Sequence, residues 1–292
     1  MPHALVMVRR ITPFLFVHFA IAAVFVVPFA WWLPLIAALT YAVLLTGSAG
    51  WMHRYFSHRC FRTSRWFQAL LAFWGGCAAQ RGALWWAAHH RRHHAFSDDH
   101  DDPHSPLEAG FWHAHVAWIW ADENQDTDSR WVKDLWRYPE LRVLDRLYWI
   151  PPLILWTLFG AVGFWYGAAT GANPWLWAAA LVIWGPIVGT VAAWHGTFAI
   201  NSITHLWGRR RYKTDDESRN NAFVAFLNMG EGWHNNHHYY PYSANSGFYW
   251  WEFDPVYYVI VVFEKLGLVW DVKRAPKRVI VGRGRRAEGD DD

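Results

Sequence analysis

Two long stretches of the chain contain no charged side chain. No Asp, Glu, Lys or Arg stands between Arg10 and Arg54 or between Arg146 and Arg209, which are stretches of 43 and 62 residues. A helix needs about 20 apolar residues to cross a membrane, so each stretch can hold two crossings. We predict membrane-spanning helices at about 13–30, 34–51, 151–168 and 175–193.

The distribution of basic residues predicts the orientation of these helices. All 27 Lys and Arg lie before the first helix, at roughly 52–148 or after 208, and an even number of crossings places these three segments on one face. Basic loops are typical of the cytoplasmic face. The expected fold class is an all-α integral membrane protein, with four transmembrane helices in two hairpins and a cytosolic helical cap formed by 52–148 and 195–272.

Two other interpretations of the apolar stretches are weaker. A large soluble helical protein would have to keep both charge-free stretches out of water. Arg9 and Arg10 before an apolar run also fit a cleaved signal peptide, but the run is too long and no small-residue cleavage site precedes the turn at 31–34. We therefore expect an uncleaved membrane hairpin.

Composition excludes several classes of protein. A hydrophobic share of 53% excludes a disordered chain. The chain has only Cys60 and Cys77, which excludes a disulfide scaffold and predicts two free thiols. A net charge of +3 gives no reason to expect a nucleic acid partner. We expect one domain over 1–272 and a tail over 273–292, first basic and then acidic.

The histidines are concentrated in short boxes. The sequence contains His53-x4-His58, two His-x2-His-His boxes at 90–94 and 234–238, and His205. At a histidine frequency of about 0.06, chance would supply only about 0.06 such His-x2-His-His boxes in a chain of this length. Residues three and four apart share one face of a helix, so the three histidines of each box can point at one locus.

These histidines predict a metal centre. Nine imidazoles are too many for one ion, and they suit two ions of the group that prefers nitrogen ligands: Fe, Zn, Cu or Ni. All the boxes follow an even number of crossings, so we expect them on the cytoplasmic side. The candidate ligands are His53, His58, His90, His93, His94, His205, His234, His237 and His238.

Carboxylates and further histidines lie near the boxes. Four carboxylates beside the boxes could orient the imidazoles, although a solvated run of charges explains Asp98 and Asp99 equally well. Those four are Asp98, Asp101, Asp102 and Glu231. We expect the remaining histidines to occupy polar helix ends, with His89 the easiest to misassign. They are His3, His18, His89, His100, His104, His113, His115 and His195.

With its boxes in this order, the chain resembles the integral-membrane fatty acyl desaturases of the stearoyl-CoA (delta-9) desaturase type. The resemblance extends over about 10–272 and depends on H-R-x-x-S-H-R from His53, H-R-x-H-H from His90, N-S-I-T-H from Asn201 and G-E-G-W-H-N-N-H-H from Gly230. The following Y-P-Y-S and W-W-E are typical of the bacterial branch.

The resemblance implies a fold, a cofactor and a reaction. It implies four transmembrane helices under a cytosolic cap with a di-iron centre, in which the nine histidines are ligands and Asn201 reaches one iron through a water. It implies a narrow, bent tunnel lined by Gln80, Trp86 and Thr197. The expected enzyme uses O2 and two electrons to introduce a cis double bond, at carbon 9, into a saturated acyl chain. A bacterial inner membrane with both termini in the cytoplasm is the expected location.

Two departures from the family bear on the partners. The sequence has no His-Pro-Gly-Gly motif of a fused haem domain, so electrons are expected from a separate ferredoxin or cytochrome b5. Basic residues could steer an acidic donor, although retention of basic residues at the inner face explains them equally well; they include Lys273, Arg274, Lys277 and Arg278. The short amino-terminal region puts in doubt the animal enzymes' contacts to coenzyme A, so the acyl carrier stays open.

Three other activities remain as alternatives. A membrane hydroxylase and an alkene-forming fatty acid decarboxylase use the same kind of scaffold, but the segment from Asn201 to His205 and the H-N-N-H-H box favour desaturation. A metal transporter would place ionisable ligands within its spans, where this chain has only His18 and, near one end, His53.

Overall fold

The structure, a computed structural model, describes residues 3–282 and is mostly helical. Four of the described helical segments are long and apolar enough to cross a membrane, as the charge-free stretches predict. They are Leu5–Phe25, Leu33–Ser57, Ile150–Ala169 and Pro174–Leu206.

The first two segments combine more than one type of helix. Helix α1 covers His3–Ala20 and continues as a 3₁₀ helix over Ile21–Phe25. Helix α2 covers Leu33–Thr46 and continues without a break as a π-helix over Gly47–Ser57. The π-helical part is buried over its whole length. It places His53 near the end of the second spanning segment.

Short elements join the second and third long segments. Strand β1 (Arg62–Thr63) pairs antiparallel with β2 (Val269–Trp270). The helices that follow β1 are α3 (Arg65–Gly76), α4 (Ala83–Phe96), α5 (Pro106–Ala109), α6 (Phe111–His115), α7 (Lys133–Trp136) and α8 (Pro139–Arg146). Three 3₁₀ helices lie among them, at Ala117–Trp120, Asp122–Asn124 and Ser129–Val132.

The third and fourth long segments and the elements after them complete the chain. The third segment is α9 (Ile150–Ala169). The fourth consists of α10 (Pro174–Val182), a π-helix over Ile183–Ile187 and α11 (Val188–Leu206). The remaining helices are α12 (Ala222–Leu227), α13 (His234–Tyr239), α14 (Pro255–Lys265) and α15 (Lys277–Ile280).

The long helices extend beyond the predicted boundaries. The fourth segment was predicted to end at 193, but it continues through Gly196 to Leu206. The first begins before 13, and Arg10 lies within it. The guanidinium of Arg10 donates to the carbonyl of Trp120 and to Asp122, 2.9 and 2.5 Å away, so its charge is paired. The length of a charge-free stretch cannot reveal that a charged residue next to it, such as Arg10, is paired and belongs to the helix.

Part of the predicted tail packs on the body of the protein. On α15, Val279 is buried in a cluster with Tyr212, Tyr239 and Phe248. The backbone N–H of Lys273 donates to the carbonyl of Cys60, 2.8 Å away. The packed body therefore extends past 272, and residues 283–292 of the predicted tail lie outside the described part of the chain. Cys60 and Cys77 are free and buried, as expected.

Helices α9 and α10 pack closely because two glycines face the partner backbone. Gly163 and Gly167 form a G-x3-G pair, the small-residue pattern that lets membrane helices approach each other. A Cβ at Gly163 would stand 2.8 Å from the Cα of Ala178 and would also collide with the carbonyl of Trp177. At Gly160, one turn earlier, a Cβ would meet only the side chain of Val182, at 3.5 Å.

We expect Gly163→Ala to destabilise the protein by about 1–3 kcal/mol, since the two backbones would have to move apart. Gly160→Ala is the matched control and should be neutral or slightly stabilising, because alanine is the better helix former. The midpoint of thermal unfolding in one detergent measures both changes. Equal midpoints for the two variants would contradict the close approach at Gly163.

Candidate metal centre

Five imidazoles converge on one point. One nitrogen from each of five histidines lies within 4.8 Å of the others. The Nε2 atoms of His58 and His90 are 2.8 Å apart, and Nε2 of His237 is 2.9 Å from Nε2 of both His53 and His94. Nitrogens bound to one ion at about 2.1 Å stand roughly 3 Å apart, so this spacing is that of a ligand set.

Four further imidazoles form a second group beside the first. Its members are His93, His205, His234 and His238, all buried, with ligand atoms again within 4.8 Å of one another. Nε2 of His205 is 3.0 Å from Nε2 of His234, and Nε2 of His93 is 3.4 Å from Nε2 of His238. The two groups together contain all nine candidate ligands, and none of the nine lies elsewhere.

The histidine boxes are divided between the two groups, which corrects the expectation that each box points at one locus. On α4, His90 and His94 belong to the first group and His93 to the second; on α13, His237 belongs to the first group and His234 to the second. Adjacent residues on a helix point about 100° apart, so His93 and His94 diverge. Both helices therefore lie between the groups and contribute to each.

Four carboxylates fix the orientation of ligand rings. Nδ1 of His53 donates to Glu231 at 2.5 Å, and Nδ1 of His93 donates to both oxygens of Asp102 at 3.0 Å. A carboxylate can only accept, so the proton stands on Nδ1 and the lone pair on Nε2 points into the group. The other two pairs are His205 with Asp98, at 2.8 Å, and His238 with Asp216, at 2.5 Å.

This donor set fits metal ions. Nδ1 of His93 and Nδ1 of His238 each donate to a carboxylate, so both Nε2 atoms carry a lone pair. These two Nε2 atoms are 3.4 Å apart, and a cation bound between them would remove the repulsion of their lone pairs. Burial and neighbouring imidazoles hold the pKa of His90 and of His94 well below the ordinary value, so these rings are neutral, as metal binding requires. Burial opposes ionisation of Glu231, yet its histidine and arginine partners hold its pKa at about 2.

Sequence reasoning identified three of the four carboxylates. Asp98, Asp102 and Glu231 orient candidate ligands. Asp101 is exposed, and its backbone carbonyl accepts a hydrogen bond from Arg92. Asp99 is exposed, as a solvated charge would be.

Asp216 was missed by the sequence analysis. It lies 22 residues before its partner His238, on a loop that has no periodic pattern. The loop is held by Ser218, whose backbone N–H and hydroxyl both donate to Asp216. No local signal links this residue to the histidine boxes.

The other histidines whose side chains the structure describes lie outside the two groups. Nδ1 of His89 donates to the carbonyl of Trp85, 2.8 Å away, and the ring does not join a group. His104 and His115 were expected at polar helix ends, but both are buried. The ring of His104 packs against that of His93 at a tilt of 35°, with centroids 4.3 Å apart, and the backbone N–H of His104 donates to Asp102.

A cavity of about 490 Å³ leads to the histidines. Gln80, Trp86, Thr197 and Asn201 all line it. Nε2 of Gln80 donates to Oγ1 of Thr197 at 3.0 Å, and Nε1 of Trp86 donates to Oε1 of Gln80 at 3.4 Å. The three residues proposed for a tunnel bend thus form one hydrogen-bonded unit.

The inner end of this cavity adjoins both histidine groups. A second cavity, of about 30 Å³, shares Trp86, Thr197 and Asn201 with the first. Its other walls include His53 and His90 of the first group, and His93 and His234 of the second. An alkyl chain that filled the larger cavity would therefore come close to both histidine groups at the inner end of that cavity.

The chain matches a protein family over most of its length. The model of the family described as fatty acid desaturase matches residues 11–272. An sn-2 palmitoyl-lipid 9-desaturase of Nostoc is 34% identical over 77% of this chain and 75% of that protein. An sn-1 stearoyl-lipid 9-desaturase of Anabaena variabilis is 34% identical over 86% of this chain and 87% of that protein.

A plant relative is longer than this chain. The palmitoyl-monogalactosyldiacylglycerol delta-7 desaturase of Arabidopsis thaliana is 38% identical over 76% of this chain. The match covers only 56% of the plant protein. The names of these relatives differ in the position of the double bond and in the lipid.

We expect Asp216→Asn to lower metal affinity 10- to 100-fold, because an amide can present an N–H where Nδ1 of His238 needs an acceptor. Asp101→Asn is the matched control and should keep the metal content of the unmodified chain. The measurement is bound metal per chain during titration with a chelator. Equal retention of metal by the two variants would show that Asp216 does not orient a ligand.

Proposed function

This chain belongs to the fatty acid desaturase family, and we propose that it introduces a cis double bond at carbon 9 of a saturated acyl chain. The observation that carries this proposal is a cavity whose inner end adjoins two groups of imidazoles. The relatives named as lipid 9-desaturases support the position of the bond. The enzyme is accordingly an oxidoreductase that reduces O2 to water.

We assign the two groups to two iron ions. His53, His58, His90, His94 and His237 would hold one iron, and the remaining four histidines the other. Asn201 would reach an iron through a water, because it lines the small cavity together with ligands of both groups. Imidazole suits iron and leaves positions open for O2.

The reaction requires such a cofactor. The hydrogens of two adjacent methylenes are neither acidic nor polarised, so no side chain can remove them by acid–base catalysis. Bound iron supplies the oxidising power by reducing O2 with two external electrons and two protons, so that the two hydrogens of the substrate leave in water. The side chains contribute orientation, exclusion of water and fixed tautomers.

The cavity walls would select and bend the substrate. The four spanning segments have almost no charge, so they can bury an alkyl chain at about 0.8 kcal/mol per methylene. The unit of Gln80, Trp86 and Thr197 stands where the cavity meets the histidines. We propose that it holds the acyl chain bent, since a straight passage would keep the two methylenes anti and favour a trans product.

The membrane arrangement is part of the proposal. The four spanning segments would form two hairpins under a cytosolic cap, within one desaturase domain. The bond of Arg10 to Asp122 supports this orientation, because it joins the start of the first span to a segment of the cap. The basic residues support a cytoplasmic location of the cap and both termini, and we propose the inner membrane of a bacterium as the site of the protein.

The electron donor would be a separate, acidic redox protein such as a ferredoxin or cytochrome b5. Lys277 and Arg278 are exposed on α15. That helix is held by Tyr212, whose hydroxyl donates to the carbonyl of Ile280, and Tyr212 stacks on Tyr239, the residue after His238. Arg274 is less suitable, since it is paired with Glu264.

The decisive test is the fatty-acid profile of a host that lacks its own desaturase and co-expresses this chain with a redox donor. We expect a new cis monounsaturated acid with the double bond at carbon 9, located by mass spectrometry of derivatised lipids. His94→Ala should abolish it, because one iron loses a ligand, and the iron content should fall.

His100→Ala is the control for this test, since the imidazole of His100 is 96% exposed. It should give the same product as the unmodified chain. Hydroxylated acids or terminal alkenes would instead assign the hydroxylase or the decarboxylase reaction to this scaffold. An active, iron-replete His94→Ala variant would contradict the ligand assignment.

Donor docking should depend on charge. We expect Lys277→Glu with Arg278→Glu to raise the apparent KM for an acidic donor several-fold and to leave kcat at saturating donor nearly unchanged, because rim charges act mainly on encounter. Turnover of the unmodified chain should also fall as salt rises. Salt-independent turnover, measured with a reconstituted donor, would remove this surface as the docking site.

A further inference from the structure

Three histidines outside the two groups form a continuous chain of contacts. Nε2 of His18 lies 3.0 Å from Nε2 of His195, and Nδ1 of His195 lies 3.0 Å from Nε2 of His115. His18 belongs to the first spanning segment, His195 to the fourth and His115 to α6. This imidazole chain therefore joins two spanning segments to a helix that precedes the third.

Both ends of the imidazole chain are carbonyl oxygens, which can only accept hydrogen bonds. Nδ1 of His18 lies 2.7 Å from the carbonyl of Phe14. At the other end, Nδ1 of His115 lies 2.9 Å from Oγ of Ser202, whose hydroxyl donates to the carbonyl of Phe198 at 2.9 Å. Since the ends accept, Nδ1 of His18 and Nδ1 of His115 must both be donors.

Three neutral rings cannot satisfy every contact of the imidazole chain. A neutral imidazole carries one N–H. His115 donates from Nδ1, so its Nε2 accepts from Nδ1 of His195. Nε2 of His195 and Nε2 of His18 then both carry lone pairs, which face each other at 3.0 Å. One additional proton between these two atoms completes all the hydrogen bonds, because 3.0 Å is an ordinary hydrogen-bond distance.

The surroundings leave the additional proton to His18 and His195. Burial and the neighbouring ring of His195 lower the pKa of His115. Arg9 lies nine residues before His18, about 13 Å along α1. The other titratable side chains described on α1, α2, α5, α6 and α11 have partners of their own. These partners are Asp122 for Arg10, the carbonyl of Leu227 for Tyr41, His100 for Glu108, the carbonyl of Pro103 for His113 and Asp98 for His205.

The imidazole chain lies directly behind one wall of the large cavity. Phe14, Trp194 and Phe198 line that cavity. The centroid of the His18 ring is 4.0 Å from that of Phe14 and 5.7 Å from that of Trp194. The ring of His195 is 5.9 Å from that of Phe198. The contact between His18 and His195 therefore closes the seam between the first and fourth spanning segments beside the cavity.

From this arrangement we infer that His18, His195 and His115 form a site that binds one proton, and that this proton holds the first spanning segment against the fourth. An ionisable residue within a span is costly, so its presence there points to a function. Without the proton, the lone pairs on the two Nε2 atoms repel each other, and the cavity wall loosens towards the lipid. This proton site is separate from the two histidine groups and does not depend on the reaction proposed above.

The test measures the width of the seam by electron paramagnetic resonance. Spin labels are attached at Phe16→Cys and Ala192→Cys, two exposed positions on the first and fourth segments, in the iron-loaded chain in neutral detergent. Cys60 and Cys77 are buried, and burial raises the pKa of each thiol to about 12, so they do not take up the label. We expect a narrow distribution of distances at about pH 6, where an imidazole takes up a proton, and a broader one at about pH 9.

Three variants separate the proton from the packing of the rings. His195→Ala should give the broad distribution at both pH values, because the contact is removed. His18→Gln should give the narrow distribution at both, because its amide N–H donates to Nε2 of His195 without an additional proton. His100→Ala is the control, since that imidazole is 96% exposed, and it should respond to pH as the unmodified chain does.

Two outcomes would overturn the inference. One is a distribution of distances that does not change with pH in the otherwise unmodified chain. The other is a seam that narrows only when Zn²⁺ is added, which would assign a metal ion to the two Nε2 atoms. No acyl substrate or electron donor is present in this test. A pH-dependent seam therefore stands even if no unsaturated product forms in the host, in which case the proposed function alone fails.

Discussion

The arrangement of nine imidazoles within a few ångströms of one another is the constraint on which the rest of the structure depends. Such rings can be packed together only if they stay neutral and if their lone pairs do not repel. Burial keeps rings such as His90 and His94 uncharged, and four carboxylates hold protons on the outward nitrogens. The inward lone pairs then favour a bound cation. By its electrostatics as well as by its spacing, the site could therefore hold metal ions.

The same carboxylates tie distant parts of the chain together. Glu231 bonds His53 and also Arg54, and Arg54 continues to Asp254 and to the carbonyl of Ala244. All three charged groups are buried, with Arg54 only 1% exposed. Removing one partner of such a network leaves an uncompensated charge, which is strongly destabilising. This network thus joins three parts of the chain into one unit: the end of the second span, the third box and the start of α14. The π-helix from Gly47 brings the first box into this unit.

Sequence reasoning succeeded where a single local pattern determines the outcome. Charge-free length predicted four spanning helices, and box spacing selected the nine histidines that the structure brings together. Sequence reasoning failed where a contact between residues far apart in the chain determines the role of a residue. Asp216 reaches His238 through an irregular loop, and the division of His93 from His94 depends on α4 lying between two groups. The paired charge of Arg10 likewise hides the true start of the first span.

The large cavity has to meet opposite requirements in its two parts. At its inner end, water must be excluded and the acyl chain held beside the histidine groups; elsewhere the cavity is lined by Arg9, Arg10 and Arg81, where a polar head group can stay hydrated. The two regions are close in the chain, because Gln80 bonds Thr197 and the next residue, Arg81, bonds Gln125. Under the proposed function, this segment, in which Ala79 and Arg81 have φ angles of 54° and 68°, would set the distance from a head group to the bend. A carbon position can then be selected by length alone, since methylenes offer no other feature to recognise. A change in that segment should therefore alter the site of reaction more readily than a change in the histidines, which would remove the reaction altogether.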